Sequence, residues 1–153
     1  MKILVLSDSH GSLEYMRQAV RKEQPELICH LGDCQWDGQQ LRQEYWQIPF
    51  LSVPGNCDYP APHVPLEYIT EEQGIRILLT HGHKYGVKNG LLRLQLAAKE
   101  AQCQIALFGH THVSYCEQVD GIWLLNPGTC HYHLRYGIVE ISSGRNVCCY
   151  VTK

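Results

Sequence analysis

The chain has 153 residues, 44% of them hydrophobic and 18% charged, and carries a net charge of −2. That length favours one domain with a real core, so residues 1–153 are read as a single domain. The charge excludes the basic footprint of a protein built for long nucleic acid, and no apolar run is long enough to cross a membrane.

The elements follow in chain order. Residues 2–7, "KILVLS", form a short apolar run that suits a buried strand. Asp8 and His10 follow it with no small-residue cleavage site, so the run reads as core rather than as a signal peptide. Residues 12–24 predict a helix. Ser12 is its N-cap, Leu13, Met16, Ala19 and Val20 share one face, and Pro25 stops it. A second buried strand is expected near 26–31, a weaker helix over 38–47 and a third strand over 48–53. This alternation argues for a parallel sheet with right-handed crossovers.

Residues 54–65 hold four prolines and a glycine and read as a loop. A hairpin follows, with strands near 66–70 and 75–80 around a turn at Gln73 and Gly74. A helical pattern covers 88–102, with Leu91, Leu92, Leu94, Leu96 and Ala98 as apolar positions. A strand comes next at 105–108. The remainder reads as short strands at 113–119, 122–125, 135–141 and 146–152. The expected architecture is α/β, a parallel half followed by a more antiparallel half.

Metal-capable side chains gather where strands end. Asp8 and His10 lie in "SDSHG", Asp33 in "LGD", Asn56 in "GNCD", His81 in "THGH", and His110 and His112 in "GHTH". In open α/β sheets, ligand sites form at the carboxyl ends of strands. Mixed oxygen and nitrogen donors without a thiolate set favour Mn, Fe, Co, Ni or Zn over Ca or Mg. Seven ligands exceed what one ion needs, so two ions sharing one carboxylate fit better. Paired ions suit phosphoryl chemistry, and they give a slightly acidic chain a means of holding an anion.

These five motifs, D-x-H, G-D, G-N-x-D, H-G-H and G-H-T-H in this order, resemble those of the calcineurin-like metallophosphoesterases. The spacing and size look like the small one-domain YfcE-type phosphodiesterases, and the likeness runs from Met1 through "NPG" at 126–128. The resemblance implies a β-sandwich of two mixed sheets flanked by helices. It places a first ion on Asp8, His10, Asp33 and His112. It places a second on Asp33, Asn56, His81 and His110, with Asp33 as the bridge. Asp33, Asn56 and His81 are then the catalytic positions, and His110 and His112, two residues apart on extended chain, serve different ions.

The expected activity is hydrolysis of small phosphodiesters by a metal-bridging hydroxide. The cofactors are two divalent ions, Mn first, with Ni, Fe, Co or Zn as other candidates. The alternative is a metal-binding interaction scaffold with little or no catalysis, a use of this fold known from the retromer scaffold subunit. Cys57 stands where many larger relatives carry His, and reads as a small spacer beside Asn56. Asp58 is expected to accept a hydrogen bond from a metal-bound His. His83 is expected to line the pocket or orient a ligand, and His131 and His133 to sit at the surface or pocket edge. Trp36 could wall a pocket or pack on the core.

Eight cysteines without a C-x-x-C pair read mostly as buried free thiols of a reducing, cytoplasmic setting. The expected partner is a small phosphoester, with neither long nucleic acid nor membrane. The sequence does not select between a monomer and a homo-oligomer.

Overall fold

The strand–helix alternation of the first fifty residues builds one sheet. The computed structural model describes residues 1–59 and 64–152, so 60–63 of the proline-rich loop and residue 153 lie outside the described residues. Strands β1 (Lys2–Leu6), β2 (Leu27–His30) and β3 (Phe50–Ser52) run parallel. Helices α1 (Leu13–Glu23) and α2 (Gln35–Glu44) make the crossovers. The second sheet uses β4 (Glu67–Glu72), β5 (Ile75–Thr80), β6 (Ile105–Leu107), β7 (Tyr115–Val119) and β8 (Ile122–Asn126), in the order β4-β5-β6-β8-β7. Helix α3 (Leu92–Glu100) links β5 to β6. Strands β9 (Gly137–Ser142) and β10 (Asn146–Val151) return to the first sheet, giving β10-β9-β1-β2-β3.

The two mixed sheets and flanking helices are the expected class, but the halves divide differently. Strands β5, β6 and β8 pair in parallel within the later half. The last hairpin lies antiparallel against β1 rather than extending the second sheet. Alternation along each strand explains the layering. Ile3, Val5, Cys29, Ile77, Leu79, Leu107 and Leu125 face one another between the sheets. Leu4, Leu6 and Ile28 face Met16, Ala19 and Leu41 of the helices. Leu78, Ala106 and Leu124 face Leu94 and Ala98 of α3. Strands buried on both sides read as continuous apolar runs, which is why β1, β2 and β6 are so visible in the sequence.

Several boundaries shift for local reasons. Helix α1 ends at a left-handed Gln24, whose N–H reaches the carbonyl of Val20, one residue before Pro25. Ser12 does not cap it: its hydroxyl donates to the His131 carbonyl at 2.7 Å. Helix α2 starts three residues earlier than 38–47 implied, at Gln35, because a distant carboxylate caps it. Its Gly38 lies against buried His30, where a Cβ would sit 3.3 Å from the imidazole Nδ1. Helix α3 is shorter than 88–102, since a 3₁₀ turn at Val87–Asn89 and Gly90 precede it. It buries Leu94 and Ala98 and exposes Leu92 and Leu96. The β4–β5 hairpin turns at Gln73 and Gly74, both with positive φ, the two-residue turn that matches strand twist. All eight cysteines are free, but four of them, Cys34, Cys57, Cys116 and Cys148, are partly or fully exposed. No helix among the described residues is long and apolar enough to cross a membrane.

Candidate metal centre

Five strands deliver their C-terminal turns to one crevice. Asp8 and His10 follow β1, Asp33 follows β2, Asn56 follows β3, His81 follows β5, and His110 and His112 follow β6. The backbone there is unusual. Asp8, His10, Asp33, His110 and His112 all take φ between 43° and 68°. Non-glycine residues in this region cost about 1–3 kcal/mol each, although Asp and His tolerate it better than most. Contrary to expectation, the His110–His112 pair is therefore not on extended chain but in a turn that begins three residues beyond Leu107, the end of β6. The turn separates the rings: His112 lies 5.4 Å from His10, and His110 lies 5.0 Å from His81.

One oxygen or nitrogen from each of Asp8, His10, Asp33 and His112 falls within 4.8 Å of all the others. Asp33 is the pivot. Its Oδ1 accepts the Cys57 N–H at 2.9 Å. Its Oδ2 lies 4.0 Å from His10 Nε2 and 3.5 Å from His81 Nε2. His81 Nε2 also lies 3.1 Å from Asn56 Oδ1. The other side of that ring is fixed by Nδ1, which lies 2.8 Å from the Leu31 carbonyl. A carbonyl only accepts, so Nδ1 donates and Nε2 is left to face the crevice.

Buried Asp8 Oδ1 and His10 Nε2, and His83 Nδ1 at the far side, have no hydrogen-bond partner among the described residues. His112 Nε2 approaches Asp8 Oδ1 to 3.1 Å without hydrogen-bonding geometry. An orphaned buried polar group costs roughly 1–3 kcal/mol, and a cation removes that penalty. The donor set is carboxylate, imidazole and amide, which fits a divalent transition metal. Burial alone would raise the Asp33 carboxyl. The close approach of His81 and the Cys57 N–H outweigh it and hold the group well below the usual carboxylate range. Burial is the main influence on His110 and pushes it down to about 4.

The ligand turns are held by side chains that sequence motifs did not single out. Asp37 of α2 accepts the Ser9 hydroxyl and the Gly11 N–H, both at 2.7 Å. Asn126 donates to the Gly109 carbonyl at 2.8 Å and to Thr111 Oγ1 at 3.0 Å. The Thr129 hydroxyl donates to the Asp8 carbonyl at 2.7 Å. The signal for Asn126 was "NPG", which reads equally well as a plain turn, and Thr129 follows directly after it. Asp58 corrects an expectation. It makes no hydrogen bond to a histidine among the described residues; its carboxylate accepts the N–H groups of Asp33, Cys34, Gln35 and Gly55, at 2.7 to 2.9 Å. That clamp starts α2 and joins the Asp33 turn to the Asn56 turn. The join is tight: a Cβ on Gly32 would strike the backbone of Gly55.

Cys57 is exposed beside Asn56, whose amide lies 3.4 Å from its sulfur. His83 stands 5.5 Å from His81 and 6.2 Å from His110, and shares with Asn56 the wall of a pocket of about 280 Å³. His131 reaches the crevice edge, 5.7 Å from His10, while His133 is exposed.

Residues 1–144 match the model of the calcineurin-like phosphoesterase superfamily domain. The probable metallophosphoesterase YsnB of Bacillus subtilis is 33% identical over 131 residues, covering 84% of this chain and 75% of that protein. The phosphodiesterase YfcE of Escherichia coli K12 is 29% identical over 154 residues, covering 84% and 79%. In fold, Vps29 of Chaetomium thermophilum superposes with a TM-score of 0.77 over 99% of this chain and 95% of that one, at 16% identity.

Proposed function

Because this chain belongs to the calcineurin-like phosphoesterase superfamily, we propose that it is a phosphodiesterase working through two divalent ions on small phosphodiesters. Hydrolysis of phosphoesters with metal help is the activity of the class, and the YfcE relative is named a phosphodiesterase. The observation that carries the reading is the convergence of Asp8, His10, Asp33 and His112, with Asp8 Oδ1 left unpartnered.

Asp8, His10, Asp33 and His112 would hold the first ion, and Asp33, Asn56, His81 and His110 the second. Asp33 Oδ2 faces histidines of both groups, which supports its role as the bridge. Bound ions supply Lewis-acid polarisation of the phosphoryl oxygens and an activated water. The chain supplies position. The Leu31 carbonyl aims His81, the Asp58 clamp fixes Asp33 against Asn56, and Asn126 sets the turn that parts His110 from His112. The mixed donor set puts Mn first, with Ni, Fe, Co and Zn also compatible. The scaffold alternative is not favoured, since all seven ligand-type side chains are present.

The test is hydrolysis of bis(4-nitrophenyl) phosphate by protein stripped with a chelator and then reloaded with Mn²⁺. Stripping should abolish turnover, reloading should restore it, and Cys57→Ser should stay active. Turnover that survives metal removal but vanishes in Cys57→Ser would make a thiol the nucleophile and overturn the reading.

A further inference from the structure

Two large aromatic side chains beside the metal centre are largely exposed. Trp36 is 66% exposed and Tyr59 is 95% exposed, and neither joins the three apolar clusters of the described residues. Trp36 therefore stands outside the buried core and beside the cleft. Both rings are tied to one device. The Asp58 carboxylate bonds the N–H of Gln35, so Trp36 is one residue beyond the clamp on α2 and Tyr59 one residue beyond it on the Asn56 loop.

Trp36 and Tyr59 line the same cleft, of about 320 Å³, together with Cys34, Gln35, Gln39 and Cys57. The cleft borders the turns that carry two of the ligand-type residues: Cys34 follows Asp33, and Cys57 follows Asn56 and donates its N–H to Asp33. Its volume is at the small end of the range for ligand pockets. Its one carboxylate is fully engaged by four backbone N–H groups, so no free anion faces an incoming phosphoester. Gln35 bonds Asp58 through its backbone N–H, and neither the Gln35 nor the Gln39 amide makes a side-chain hydrogen bond among the described residues.

Flat apolar faces beside free amides, within reach of a phosphate site, match one chemistry. Aromatic side chains stack on any nucleobase, and glutamine amides pair with base edges. Resting on the phosphodiesterase reading, we propose that the substrate is a nucleoside phosphodiester whose base stacks against Trp36 and Tyr59 while its phosphate lies on the metal centre. The base selects the substrate, and the ions cleave it.

The experiment compares two esters with the same leaving group on the Mn²⁺-loaded protein: adenosine 5′-(4-nitrophenyl) phosphate and methyl 4-nitrophenyl phosphate. Water replaces 4-nitrophenolate in both, giving adenosine 5′-monophosphate or methyl phosphate. Stacking should raise kcat/KM for the nucleoside ester at least about five-fold, chiefly through KM. Trp36→Ala and Tyr59→Ala should each collapse the ratio between the esters, and Trp36→Phe should keep most of it. Equal hydrolysis of both esters by the wild type, or a preference that survives both alanine variants, overturns the proposal and leaves the phosphodiesterase reading standing. That result would fit a cleft that docks a protein instead. Hydrolysis of neither ester would count against the phosphodiesterase reading itself. The cleft is then decided by tryptophan fluorescence: adenosine 5′-monophosphate must quench it more than methyl phosphate does, and the difference must vanish in Trp36→Phe. Equal quenching overturns the proposal.

Discussion

Asp58 shows how much of this site is made by residues that hold no ligand. Each carboxylate oxygen accepts two backbone N–H groups, Oδ1 from Cys34 and Gln35, Oδ2 from Asp33 and Gly55. In Asp58→Asn one of those oxygens becomes an NH₂ group that faces two donors. The variant should lose about 1.5–3 kcal/mol of stability. Outer groups of this kind typically change metal affinity by about 10–100-fold, so Mn²⁺ binding should weaken on that scale. Denaturant unfolding and metal titration of the same preparation check both; wild-type values in each would remove the clamp from the account. All seven ligand-type residues were legible because each lies in a short motif at a strand end. Asp58 was visible in "GNCD", but its task was not. Its partners Asp33, Cys34 and Gln35 lie 23 to 25 residues away, and nothing local in the sequence announces a backbone clamp. Asn126 and Thr129 were hidden in the same way, with partners 15 to 121 residues distant.

At the scale of elements, periodicity located the buried strands, and local chemistry decided where helices began. Helix α2 starts at Gln35 because Asp58 caps it, a cause outside its own window. Helix α3 was overextended because Leu91, Leu92 and Leu96 look like core positions, yet Leu92 and Leu96 are solvent-facing. Helix α1 is fastened to the sheet by a different pair. The Tyr136 hydroxyl donates to Glu23 at 2.6 Å, and Lys2 reaches the other oxygen at 3.2 Å. The Tyr136 hydrogen bond is the main influence holding the Glu23 carboxyl below its usual range; burial opposes it and Lys2 adds to it. A lowered folded pKa stabilises the fold above the unfolded value, about 4.3 for Glu, and that contribution is lost as pH falls through the folded value. Tyr136→Phe should therefore cost about 1–2 kcal/mol at pH 7. The gap to wild type should narrow below about pH 4. A gap that is constant from pH 7 to pH 3 would mean that the hydroxyl contributes equally to charged and neutral Glu23, and would remove the charge-linked part of the account.

The whole molecule is arranged so that two sheets present strand ends along one edge. Three parallel strands of the first sheet supply Asp8, His10, Asp33 and Asn56, and the parallel β5–β6 pair of the second supplies His81, His110 and His112. The first group of ligands is already drawn together, and Asp33 Oδ2 lies between His10 and His81. The central claim is that Asp33 joins two ions held by these two sets of turns. The most direct measurement is the number of Mn²⁺ ions bound per chain, determined by titration and elemental analysis, in wild type, Asp33→Asn and His112→Ala, alongside diester hydrolysis. The account predicts two ions in the wild type, weakened binding of both in Asp33→Asn, and selective weakening of one in His112→Ala. Two tightly bound ions in Asp33→Asn, with activity intact, would contradict it.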